Sequence, residues 1–123
     1  MQLDLEKLEE GNHIRGYTRG EIKVNESIYH QSLIVTPTQI IENWAPQTFS
    51  SLVSSDFTEI IKLTPEIVLL GTGPQHHFPT AFIMQPLIDN KINYEVMSTS
   101  AACRTYAILL ADGRNVLTAL ILR

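Results

Sequence analysis

The chain has one cysteine, Cys103, and so cannot close a disulfide on itself. That removes the usual mark of an oxidising compartment and makes the cytoplasm the expected location. Basic charge is scarce as well: 9 Lys and Arg stand against 13 Asp and Glu, for a net charge of −4, and the basic residues are scattered. Nucleic-acid binding needs a cationic stripe to neutralise phosphates, so nucleic acid is not an expected partner. No uninterrupted apolar run approaches the roughly 20 residues that span a bilayer, so membrane insertion is not expected either. The opening Met1-Gln2-Leu3-Asp4-Leu5-Glu6-Lys7 carries acids early and lacks an apolar centre, unlike a secretory signal or an Arg-rich transit peptide.

Signature motifs are also missing. Gly71-Thr72-Gly73-Pro74-Gln75-His76 has no third glycine where a dinucleotide fingerprint needs one, and no Gly-Lys-Ser/Thr follows as in a phosphate loop. There is no Gly-x-Ser-x-Gly elbow for serine hydrolysis. Internal repeats and low-complexity stretches are absent. The expectation is a protein without catalytic machinery and without a cofactor.

What is present is enough for a folded core. With 123 residues, 44% hydrophobic and 18% charged, the chain reads as a single domain over residues 1–123. His13 to about Trp44 shows short β-rich runs separated by turn residues. His13–Tyr17, Glu21–Val24 and a longer run from Ser27 to Val35 predict an antiparallel meander. Pro37 interrupts it, and Gln39–Trp44 resumes with Ile40, Ile41 and Trp44 as the residues to bury. Ala45–Ser54 is a polar connection. Asp56-Phe57-Thr58-Glu59 then opens a short helix that runs to Leu63 and stops at Thr64-Pro65, because the residue before proline avoids the helical region.

The second half alternates. Glu66–Leu70 is a continuous apolar strand of the kind buried on both faces, ending in Gly71-Thr72-Gly73. Phe78 to about Asn90 is the expected crossover helix, opened by Pro79 and kinked or split at Pro86. Tyr94–Met97 is the next strand, and Ser98-Thr99-Ser100 offers three N-caps to a helix over Ala101–Ala111 with Ala102, Tyr106 and Leu109 along one face. Asn115–Leu122 closes as a strand. The alternation predicts an α/β fold in three layers: a mixed central sheet with crossover helices, plus an N-terminal antiparallel β layer.

Two turns focus the functional reading. If the strands ending at Leu70 and Met97 are parallel neighbours, Gly71-Thr72-Gly73 and Ser98-Thr99-Ser100 emerge at the same carboxyl edge, where open α/β sheets bind ligands. The glycines admit close approach, the following helix presents free N–H groups, and Arg104 offers a forked donor for a small carboxylate or phosphate. The candidate ligand-binding residues are therefore Gly71, Thr72, Gly73, Ser98, Thr99, Cys103 and Arg104. The competing account is that the glycines only allow a tight turn, the hydroxyls cap the helix and Arg104 pairs with a nearby acid.

Cys103, beside Arg104 near a helix N-terminus, feels two influences that favour thiolate; a small apolar residue packed between helix and sheet explains it equally. His76-His77 does not predict a metal site, because neighbours on a regular element point apart and His13 and His30 lie in the distant meander. Tyr106 and Phe82 are expected in the core. The apolar C-terminal strand, placed at a sheet edge, could pair with another copy to form a homo-oligomer.

Ile14-Arg15-Gly16-Tyr17, Leu33-Ile34-Val35-Thr36-Pro37, the run Pro65 to Gly73, and above all Glu95-Val96-Met97 with Ala101-Ala102-Cys103-Arg104-Thr105-Tyr106 resemble a domain-of-unknown-function family that includes mitochondrial complex I assembly factor 3. The likeness runs in order over nearly the whole chain. It implies a three-layer α/β fold with a mixed sheet and an added β layer. It also implies an accessory or assembly role, exercised by binding protein partners rather than by catalysis. Ala107 stands where the family's asparagine is expected, which bears on a polar pocket contact, and the lack of a presequence points to a bacterial, cytoplasmic version. The leading expectation is a non-enzymatic binding module for a larger complex. The alternative is a small-anion or redox-sensing protein working at the two turns.

Overall fold

In a computed structural model of the chain, residues 10–123 are described; the Met1–Lys7 segment read above lies outside them. Strands β1 (Ile14–Thr18), β2 (Glu21–Val24) and β3 (Ser27–Tyr29) form a three-stranded antiparallel sheet in the order β1-β2-β3. In β2 the alternation is strict: Ile22 and Val24 are buried while Glu21 and Lys23 face solvent. The expected run from Ser27 to Val35 is broken after Tyr29. Its second part, β4 (Leu33–Val35), and β5 (Ile40–Ile41) join the central sheet instead of extending the meander.

The central sheet adds β6 (Ile67–Gly71), β7 (Asn93–Met97) and β8 (Val116–Leu120) in the order β5-β4-β8-β6-β7. β6 runs parallel to both β7 and β8, and β4 runs antiparallel to β8, so the sheet is mixed. β8 lies in the middle, flanked by β4 and β6, and all its residues are buried. Its placement at an edge is thereby corrected: the apolar run Val116–Leu120 is apolar because both of its faces are covered.

Two apolar cores sandwich this sheet. On one face Ile34, Val68, Leu70, Leu117 and Ala119 meet Phe57, Ile60, Met84 and Leu87. These come from a 3-10 helix (Ser54–Phe57), helix α1 (Thr58–Lys62) and helix α2 (Ala81–Asp89). On the other face Leu33, Val35, Leu69, Val116 and Leu120 meet Ile22 and Val24 of the small sheet and Ala102 and Tyr106 of helix α3 (Thr99–Ala111). The layers are thus helices, mixed sheet, and a third layer shared by α3 and the antiparallel sheet.

Local differences from the sequence expectation have physical causes. α2 starts at Ala81 because the Thr80 hydroxyl accepts the Ile83 N–H, so Thr80 rather than Pro79 sets the start. Pro86 lies inside α2 without splitting it; its ring cannot donate, but the helix is held from both sides by the buried Met84 and Leu87. Phe82 is 77% exposed, not core, because buried Met84 and Leu87 define the inner stripe of the helix and Phe82 falls outside it. Ser98 is the N-cap of α3, accepting from the Ala101 N–H. Tyr106 is fully buried, as expected, and its hydroxyl donates to the Asn12 carbonyl at 2.6 Å.

Candidate functional site

The register places Gly71 opposite Met97 on one side and Leu120 on the other, so β6, β7 and β8 end together at one carboxyl edge. The two turns do share this rim. Beyond the strands, the Thr72 N–H donates to the Met97 carbonyl at 2.9 Å and the Thr99 N–H donates to the Gly73 carbonyl at 2.9 Å. The Thr99 hydroxyl accepts the Gly73 N–H at 2.8 Å and donates to the Ile121 carbonyl at 2.6 Å. Gly71, Thr72, Gly73 and Thr99 are buried and their polar groups are engaged with one another. A Cβ on Gly71 would stand 2.9 Å from the Thr99 hydroxyl oxygen, and one on Gly73 would stand 2.9 Å from the Arg123 carbonyl. These glycines let segments of the same chain close on each other.

The seven sequence candidates therefore separate into two groups. Gly71, Thr72, Gly73, Ser98 and Thr99 knit the rim or cap α3. Cys103 and Arg104 line a groove of about 260 Å³ between α3 and β1, with Ser100, Arg15, Gly16 and Tyr17. The Arg104 guanidinium donates to the Ser100 hydroxyl at 2.9 Å. Burial pushes the Cys103 thiol up to about 12, and Arg104 offsets this only in part. Desolvation outweighs the two influences that favour thiolate, so the thiol stays protonated at neutral pH. Burial also raises the Tyr17 phenol, with Cys103 adding to it and Arg19 opposing; its hydroxyl donates to the Leu122 carbonyl at 2.9 Å.

A larger cleft opens just outside the knitted rim. It measures about 410 Å³ and is lined by Pro74, Gln75 and His77 from the loop after β6, Arg123 after β8, Arg19 from the β1–β2 turn, and Thr48, Phe49 and Ser50 around a 3-10 helix (Phe49–Ser51). Thr72 shapes this loop from beneath: its hydroxyl donates to the Gln75 carbonyl at 2.7 Å and accepts the His77 N–H at 3.0 Å. His77 stacks on Phe49 with centroids 4.8 Å apart, while His76 turns to Phe78 at 4.4 Å. Sequence reading found the edge but not these residues, because they come from four separate segments. The one local signal was Arg123 directly beyond an apolar strand that ends at the same rim.

The architecture invites comparison with known proteins. A model of a protein family of unknown function, DUF498/DUF598, matches residues 14–121. The chain belongs to this family. Both sides of the α3–β1 groove come from the strings that carried the resemblance, Ile14 to Tyr17 and Ala101 to Tyr106. The chain is similar to a "13 kDa major membrane protein" of Francisella tularensis, 29% identical over 117 residues covering 94% of this chain and 95% of the relative. It is also similar to a crystal structure of a Bordetella parapertussis protein, with a TM-score of 0.84, 32% identity, and coverage of 92% and 97%. A solution structure of a Bordetella pertussis protein described as a Mth938-like domain has a TM-score of 0.80 and 26% identity, covering 94% of this chain and 87% of the other. Among the described residues, no helix is long and apolar enough to cross a membrane.

Proposed function

We propose that this member of the family is a non-catalytic binding module, an accessory or assembly factor for a larger protein complex, working in the cytoplasm. The observation that carries the reading is the exposure of two aromatics close in sequence, Phe78 at 80% and Phe82 at 77%. Large aromatic side chains left in water at this degree mark surfaces that partners cover. Val53, at the start of the 3-10 helix that packs on α2, is a further exposed apolar residue. The partner is a protein offering apolar pockets for these rings. The resemblance to a family that includes a complex I assembly factor supports the same reading.

Size fractionation of native lysate tests it. The wild-type protein should elute with a larger complex, and Phe78→Ser/Phe82→Ser should elute at the position of a free 13.9 kDa chain while keeping its circular dichroism spectrum. Elution of the wild type as a free chain, or of the variant with the complex, would remove the support.

A further inference from the structure

We infer that the cleft outside the rim binds a small organic anion, a carboxylate or phosphate carried on a flat or cyclic skeleton. Arg19 and Arg123 both line it, and among the described residues no Asp or Glu does, in a chain whose net charge is −4. Neither arginine forms an ion pair among the described residues. The Arg123 guanidinium rests against Gly20, with one long contact of 3.5 Å to the His30 carbonyl, which leaves most of its donors without a partner among the described residues. Two arginines from different layers of the fold line one concavity, and an anion held between them would be stabilised by both.

The remaining walls define the rest of the ligand. The Phe49–His77 stack supplies an apolar, aromatic side. Thr48, Ser50 and Gln75 supply neutral hydrogen-bonding groups around it. The volume of about 410 Å³ falls in the range of about 300–1,000 Å³ usual for small-molecule sites. Its position beyond the carboxyl ends of β6 and β8 is the place where open α/β sheets receive ligands. The loop that presents Gln75 and His77 is held by Thr72, so this side of the site is formed before any ligand arrives.

Phenyl phosphate, inorganic phosphate and phenol are suitable probes, followed by NMR chemical-shift titration of the full chain. Phenyl phosphate should perturb Arg19, Phe49, His77 and Arg123, bind at least about tenfold more tightly than either inorganic phosphate or phenol, and weaken as salt is raised. Arg19→Gln and Arg123→Gln should each weaken it about tenfold or more, equivalent to about 1.4 kcal/mol, whereas Arg104→Gln should leave it unchanged. Arg19 is exposed, so its variant stands even if Arg123→Gln disturbs the packing at Gly20. Shifts that map to the Arg104 groove, binding indifferent to Arg19→Gln, or no saturable shifts with any probe would overturn the assignment. Each of these outcomes is independent of whether Phe78 and Phe82 dock a protein.

Discussion

Gly73 and Thr99 are joined twice: the Gly73 N–H donates to the Thr99 hydroxyl at 2.8 Å, and the Thr99 N–H donates back to the Gly73 carbonyl at 2.9 Å. The pair carries the ladder of β6 and β7 past its last strand residues and fixes the first turn of α3 to the loop after β6. Thr99 is fully buried, so the hydroxyl cannot be replaced by water without opening the rim.

Thr99→Val keeps the shape and removes both hydroxyl bonds, orphaning the Gly73 N–H and the Ile121 carbonyl. Urea unfolding should show a loss of about 2–4 kcal/mol, and Thr99→Ser should recover most of it. Equal stability of Thr99→Val and wild type would show that these bonds contribute nothing net.

Gly73 has φ of +106° and a neighbour, the Arg123 carbonyl, 2.9 Å from where a Cβ would be. Gly73→Ala should destabilise by about 2 kcal/mol or more. Among the described residues Gly16 has nothing within 4 Å of its Cβ position, so Gly16→Ala should stay within about 0.5 kcal/mol of wild type. The contrast between the two, read from thermal unfolding, checks that close approach and not glycine content is what matters.

The Thr118 hydroxyl is buried in the middle of β8 and has no hydrogen-bond partner among the described residues. Thr118→Val substitutes a methyl for an unsatisfied polar group at nearly constant shape. It should raise stability by about 1 kcal/mol in the same urea titration; a loss of stability would mean that the hydroxyl is satisfied in solution.

Alkaline pH should weaken the fold. Burial raises the thiol of Cys103 from 9.0 to about 12 and also raises the phenols of Tyr106 and Tyr17. Between the unfolded and folded values the unfolded chain has lost protons that the native one keeps, so unfolding becomes more favourable as pH rises. Urea midpoints should fall progressively above about pH 9, the more so toward pH 11, and Cys103→Ala should flatten the early part of the decline. At pH 8 the folded protein should react slowly with a disulfide-exchange reagent, and rapidly only once denatured.

The elements that rest on local patterning were legible in the amino-acid order. β6 shows its two-sided burial as five residues without a polar interruption, and Ser98 ahead of an apolar-faced segment marks α3. The common rim followed from these two, because parallel strands joined by helices must turn at one edge. What stayed hidden depends on long-range pairing. The break between Tyr29 and Leu33 moves β4 into another sheet, and only the tertiary partner of Ile34 and Val35, namely β8, reveals that. Phe82 looks like core in sequence because helical periodicity does not say which arc meets the sheet. Arg19 and Arg123 look like isolated surface charges until the β1–β2 turn is folded back over the strand ends, through the Gly20 N–H donating to the Leu122 carbonyl at 2.8 Å.

The central position of β8 has a consequence for biogenesis. Its two partners, β4 and β6, are made before it and have no hydrogen bonds to each other, since β8 separates them. While the ribosome is still translating residues 98–115, the half-sheets β4-β5 and β6-β7 each leave an unpaired apolar edge. Both edges are paired only once Val116–Leu120 lies between them, so completion of the central sheet waits on that strand; unpaired strand edges of this kind are prone to aggregation until they are covered.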